Sequence, residues 1–138
     1  MIWQLIFGEE MEALEHPADA DPTELFLANS HLWVGFAILA LVALRIVLRI
    51  VNGAPPPIET SRATAIVARF SHAAFYVLLV AVPVTGILDY YFHLPTGGLH
   101  ELGKPLFILL IALHVAATLW HQFIRHDGTL RRMIVPAR

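Results

Sequence analysis

Eight histidines and no cysteine in 138 residues bound the chemistry open to this chain. Without thiols, disulfides, thiolate zinc sites, iron–sulfur clusters and thiol catalysis are excluded. Five histidines, His31, His72, His100, His114 and His121, lie in or at the edges of apolar segments, where an unpaired imidazole is costly. Fourteen residues turn a helix through nearly four turns, so His100 and His114 are expected on one face, about 21 Å apart along the axis. Seven residues more return His121 to nearly that face, about 10 Å deeper. One helix stripe then offers imidazoles at several depths, and His72 offers another from a second segment. A single membrane histidine ordinarily bridges helices by a hydrogen bond. A set at several depths on facing helices suits bis-histidine ligation of haem, since bundle cores are where such cofactors are held.

Other metal chemistry is poorly matched. The sequence contains no H-E-x-x-H, H-x-x-x-H or H-x-x-H-H spacing, so the patterns of zincins and of histidine-rich di-iron membrane enzymes are missing. Few carboxylates fall in the apolar segments, and Asp89 sits near the end of one. Phosphate-loop, dinucleotide and nucleophile-elbow motifs are absent. No residue set suggests acid–base or nucleophilic catalysis. His16, His93 and His126 read as solvated side chains.

The elements that must position these imidazoles follow from hydropathy. Apolar residues make up 57% of the chain and charged residues 14%, against about 25% charged in soluble domains. A spanning helix needs roughly 20 apolar residues, and three segments qualify, at about 31–51, 66–91 and 99–124. The expected fold is an all-α integral membrane bundle with three transmembrane helices. Asn52, Gly53 and Pro55 to Pro57 close the first segment, and Leu94-Pro95-Thr96-Gly97-Gly98 separates the second from the third. Pro105 predicts a kink between His100 and His114. The expected organisation is an acidic outer segment over 1–30, a transmembrane bundle over 31–135 and a basic cytoplasmic tail over 125–138. Residues 1–7 are apolar, too short to span and preceded by no basic region, so they are not a signal peptide. They read as an interfacial anchor or as the outer end of a preceding span.

Charge sets the expected orientation. Seven of the eleven acids fall within residues 9–24, and the arginines form two clusters, Arg45 to Arg69 and Arg125 to Arg138. Both clusters flank the same end of the three segments. The positive-inside rule places that end in the cytoplasm, the N-terminus outside and the C-terminus inside. Trp33, Tyr90, Tyr91 and Trp120 fit interfacial belts. The net charge of −2 gives no pull toward nucleic acid.

Four stretches resemble the bacterial cytochrome b561 family, which is related to the cytochrome b subunits of nickel hydrogenases and formate dehydrogenases. They are His31-Leu-Trp-Val-Gly35 with Leu44-Arg45-Ile-Val-Leu-Arg49; Ser71-His72-Ala-Ala-Phe-Tyr76 with Val82-Pro83-Val-Thr-Gly86; His100-Glu101-Leu-Gly with Leu113-His114 through His121; and His126-Asp127-Gly128-Thr129-Leu130-Arg131-Arg132-Met133. The resemblance implies a four-helix cytochrome with two b haems stacked across the membrane, passing electrons between a donor and a quinone pool. It implies that His31 and His100 ligate the outer haem and that His114 ligates the inner one. The family's remaining inner ligand comes from a first span, of which residues 1–7 could only be a remnant, leaving three helices of a four-helix bundle. His72 or a second chain is then the alternative source. His72 and His121 could equally contact a propionate, relay protons or bind a quinone head group. Arg45 and Arg49 either pair with inner propionates or snorkel. Gly35 and Gly86 allow close approach of a porphyrin or a helix.

The function expected is that of a b-type cytochrome of the bacterial inner membrane, carrying one or two haem b groups and exchanging electrons with quinone. Two alternatives stand beside it. One is a haem-bearing anchor subunit docked to a dehydrogenase, a hydrogenase or another cytochrome subunit. The other is a haem-free membrane anchor or assembly protein.

Overall fold

The computed structural model describes residues 12–16, 18–53 and 62–125. Among the described residues five helices appear in chain order: α1 (Glu12–Glu15), α2 (Pro22–Asn52), α3 (Arg62–Phe92), α4 (Gly97–Glu101) and α5 (Gly103–Phe123). No strand occurs among the described residues. Three stretches are long and apolar enough to cross a membrane, Pro22–Asn52, Thr64–Phe92 and Gly97–Phe123. The all-α, three-span membrane bundle expected from hydropathy is the architecture observed. The apolar start over 1–7, the proline loop at 55–57 and the basic tail from His126 onward lie outside the described residues.

Helix α2 starts well ahead of the apolar segment. Asp21 caps it by accepting from the Thr23 N–H at 2.7 Å, Glu24 reaches back to the Asp21 N–H at 3.2 Å, and Pro22 occupies the first turn. This reciprocal capping box satisfies donors that a helix start leaves open. The two Thr23 hydrogen bonds, the backbone one foremost, hold the Asp21 carboxyl below its ordinary range. At 1.5 Å per residue α2 is about 46 Å long, more than the roughly 30 Å of hydrocarbon. Its first turns, with Thr23, Glu24 and Asn29, therefore extend past the apolar slab. The helix stops at Gly53, whose φ of 75° is open to glycine at little cost.

Helix α3 runs through Pro83, which has no N–H to return to the Leu79 carbonyl. It ends with His93 in the left-handed region at φ 53°. The His93 N–H reaches the Asp89 carbonyl at 3.0 Å and the Leu94 N–H reaches the Leu88 carbonyl at 3.1 Å. The first is the closing bond of an αL ending, the second reaches six residues back, and together they turn the chain sharply. The third apolar segment is two helices. α4 ends at Glu101, Leu102 forms the turn, and α5 restarts at Gly103 with Pro105 in its first turn. There the missing proline N–H breaks no bond of its own helix. The discontinuity expected at Pro105 thus lies one turn earlier, and it puts His100 and His114 on different helices.

Helix α3 is the central element and packs against α2, α4 and α5. Large apolar side chains on the outside stay uncovered, with Trp33 73%, Phe70 74% and Ile50 76% exposed. In water such surfaces would drive aggregation, whereas in hydrocarbon they meet a solvent as apolar as themselves. Inside the bundle, small residues permit close approach. A Cβ on Gly103 would fall 2.6 Å from Val82 Cγ2, so α5 begins directly against α3.

Candidate functional site

The structure gathers four of the five singled-out imidazoles into two pairs. At the end where α3 turns into α4, His31 of α2 faces His100 of α4 with ring centroids 5.8 Å apart and planes at 71°. At the arginine end, His72 of α3 faces His114 of α5 with centroids 6.0 Å apart and planes at 45°. The positions on a single helix that suggested a shared stripe resolve into partnerships between helices. His121 is half-buried two turns beyond His114, about 10 Å further along α5. His16 and His93 are exposed.

His100 is fixed from α3. Its Nδ1 lies 2.7 Å from the Val82 carbonyl. A carbonyl can only accept, so Nδ1 donates, and in the neutral ring that leaves Nε2 with its lone pair. A metal-ligating histidine needs this state, with the far nitrogen bonded to a backbone carbonyl. Space for the ring comes from Gly86, where a Cβ would lie 2.8 Å from His100 Cε1 and Nδ1. The close approach foreseen at Gly86 is made by this imidazole. His31 Nδ1 is itself a buried atom. Beside the pair, Trp33, Phe36 and Tyr91 form a chain of ring contacts at 6.5 and 6.2 Å, and Tyr90 meets Tyr91 at 4.9 Å.

The second pair has a different setting. Phe75 meets the His114 ring edge-on at 5.5 Å, and Ser71 Oγ stands 3.4 Å from His114 Nδ1. One turn after His72, the Tyr76 hydroxyl accepts from Arg45 Nε at 2.9 Å, and Arg49 lies 5.8 Å from the centre of its ring. Arg45 and Arg49 of α2 therefore engage α3, instead of only extending toward headgroups. Near the same end Arg125 reaches Thr64 at 3.5 Å and ties α5 to the start of α3.

Sequence reasoning missed the Val82 carbonyl and Ser71 as a neighbour of His114, and it held His72 as one of two alternative partners for His114, the one that the structure sets against that ring. The sequence carries no signal for the first, because the carbonyl that Pro83 leaves without its N–H is that of Leu79 and not that of Val82. A backbone acceptor leaves no mark in residue type, and a partner on another helix leaves none in spacing.

The donor set discriminates among metals. Two imidazoles on opposite sides of one metal, each bonded at about 2 Å, have ring centroids roughly 6 Å apart. Both pairs match that separation. Among the described residues no three histidine, aspartate or glutamate side chains converge. A bare zinc ion takes three or four protein ligands, whereas haem iron, held in plane by its macrocycle, asks the protein only for axial donors. The residues present fit haem.

The comparisons with known proteins agree with this donor chemistry. The chain is 30% identical over 141 aligned positions to cytochrome b562 of Cereibacter sphaeroides, covering 99% of this chain and 86% of that protein. It is 27% identical over 128 positions to cytochrome b561 homolog 2 of Escherichia coli, covering 75% of this chain and 68% of that one. The family model for prokaryotic cytochrome b561 matches residues 1–136. The chain thus belongs to the prokaryotic cytochrome b561 family, membrane-spanning b-type cytochromes of electron transfer that carry haem.

Proposed function

We propose that this cytochrome moves electrons across the membrane through two bis-histidine b haems, one on His31 and His100 near the outer face and one on His72 and His114 near the inner face, and exchanges them with quinone beside His121. The observation that carries the proposal is the presence of two imidazole pairs, 5.8 and 6.0 Å between centroids, at opposite ends of one bundle. Haem bound at each pair supplies a one-electron iron couple. The chain's own work is to present neutral donor nitrogens, exclude water with apolar helices and hold the two sites at different depths. Val82 sets the protonation of His100. Phe75 and Ser71 limit the swing of His114. Arg45 and Arg49, already gathered on Tyr76, provide positive charge for propionates or a quinone oxygen.

The bundle sits in the bacterial inner membrane with its arginine end in the cytoplasm, in an acidic outer segment, spanning bundle and basic tail. A dehydrogenase or another cytochrome subunit is the partner class that fits an electron carrier of this kind.

The test is a reduced-minus-oxidised spectrum with a haem-to-protein ratio on the purified chain and four variants. His31→Ala and His100→Ala should each remove the same low-spin b signal. His72→Ala and His114→Ala should each remove the other. Different signals lost from His31→Ala and His100→Ala would break the outer pairing. Loss of the inner signal from His114→Ala alone would move the second inner ligand to another segment or a second chain.

A further inference from the structure

His100 is a ligand candidate carried on only five residues, α4, separated from α5 by the turn at Leu102. So short a helix is not stable by its own hydrogen bonds. Its position must come from outside, and four contacts supply it from α3. The Val82 carbonyl takes His100 Nδ1 at 2.7 Å. The Thr85 carbonyl takes the Thr96 hydroxyl at 2.8 Å. Gly86 leaves room for the His100 ring. Asp89 Oδ1 takes the Gly97 N–H at 2.9 Å. Val82, Thr85, Gly86 and Asp89 follow the spacing of one helix face, so a single stripe of α3 grips the turn and α4 together. The grip also reaches the His100 backbone, because the Thr96 carbonyl accepts the His100 N–H at 3.1 Å.

We infer that Asp89 and Thr96 are positioning residues for the haem ligand His100: they clamp the turn and the first residue of α4 to α3, which keeps the imidazole on the Val82 carbonyl and Nε2 available to iron. This rests on His100 being an axial ligand. Asp89 acts here through an oxygen that accepts one backbone N–H, and its charge is secondary. The packing is tight enough for direction to matter, since a Cβ on Gly97 would lie 3.0 Å from Asp89 Oδ2.

Carbon monoxide reads the clamp directly, because it binds reduced haem only where an axial position opens. Thr96→Val and Asp89→Ala should each raise the rate of carbon monoxide binding to the dithionite-reduced protein by roughly three- to tenfold, the scale of one lost hydrogen bond. Thr96→Ser and Asp89→Asn keep the donor and the acceptor and should stay within about twofold of the unaltered chain. His100→Ala in the same series should open the site fully. If His100→Ala opens it while Thr96→Val and Asp89→Ala bind carbon monoxide at the unaltered rate, the clamp is refuted and the ligand assignment stands. If His100→Ala itself changes neither the low-spin spectrum nor carbon monoxide binding, the ligand assignment fails and takes the clamp with it. Should Asp89→Ala not assemble with haem, Thr96→Val decides by the same criterion.

Discussion

Gly86 and His100 show how narrowly a single side chain is placed. The imidazole occupies the volume where residue 86 would carry a Cβ, at 2.8 Å from two ring atoms. A ring is the far end of a side chain and could swing aside. Swinging, however, breaks its hydrogen bond to the Val82 carbonyl. Gly86→Ala therefore sets overpacking, typically 1–3 kcal/mol, against the orientation of the His100 ring. The expected outcome is a helical protein with the His31–His100 haem signal weakened or shifted and the other signal retained, measured by reduced-minus-oxidised spectra. An unchanged spectrum at full haem content would mean that the ring has a second acceptable position. Gly103→Ala should act on the same ring indirectly, since its Cβ would press on Val82 at 2.6 Å.

Among the elements, the three spans were legible because lipid requires long apolar runs, and 31–51, 66–91 and 99–124 have them. The start of α2 was not read, because hydropathy reports where hydrocarbon begins and not where helix begins. The capping box Asp21-Pro22-Thr23-Glu24 held that information. The division of the third segment was half legible. Pro105 announced a discontinuity, but its site at Leu102 depends on how Gly103 docks against Val82. The five site histidines could be named from the residues, whereas the pairing of His31 with His100 came only from the family resemblance and His72 stood as one of two alternatives for His114, since periodicity relates positions within one helix only. The α2 cap also makes a pH prediction. The Asp21 carboxyl is held below its ordinary range by Thr23, so the folded cap favours the charged form. Its contribution is complete above the unfolded-state value, about 3.9 for aspartate, and is lost as pH falls through the lower folded value. Amide exchange at Thr23 should therefore accelerate, beyond its intrinsic pH trend, only at pH below the ordinary aspartate range. Asp21→Asn, which keeps a capping oxygen, should abolish that extra dependence. Extra exchange setting in at neutral pH would contradict it.

Across the whole molecule, charge and packing select the same polarity. Arg45 and Tyr76 join α2 to α3, and Arg125 and Thr64 join α5 to α3, all toward one end. Asp21, Glu24, Asp89 and Glu101 occupy the elements at the other end. Arg45, Arg49 and Arg125 are built into helix contacts at their end, so the asymmetry belongs to the bundle as well as to its loops. Translocating that end would carry Arg45, Arg49, Arg62, Arg69 and Arg125 through hydrocarbon, at about 2.5–3.5 kcal/mol for each arginine at mid-membrane depth even on the mildest scale. The opposite orientation keeps them in place and exports mainly carboxylates, which contribute little to topology. Reporter fusions at Pro57 and at Arg138 should both read cytoplasmic, and a fusion within the loop at His93 should read periplasmic. With that orientation the His31–His100 pair lies toward the periplasm and the His72–His114 pair toward the cytoplasm. A membrane-impermeant reductant added to intact spheroplasts should then reduce the haem lost in His100→Ala before the haem lost in His114→Ala. A periplasmic signal at Pro57, or the reverse order of reduction, would invert the orientation and the depths proposed for the two histidine pairs.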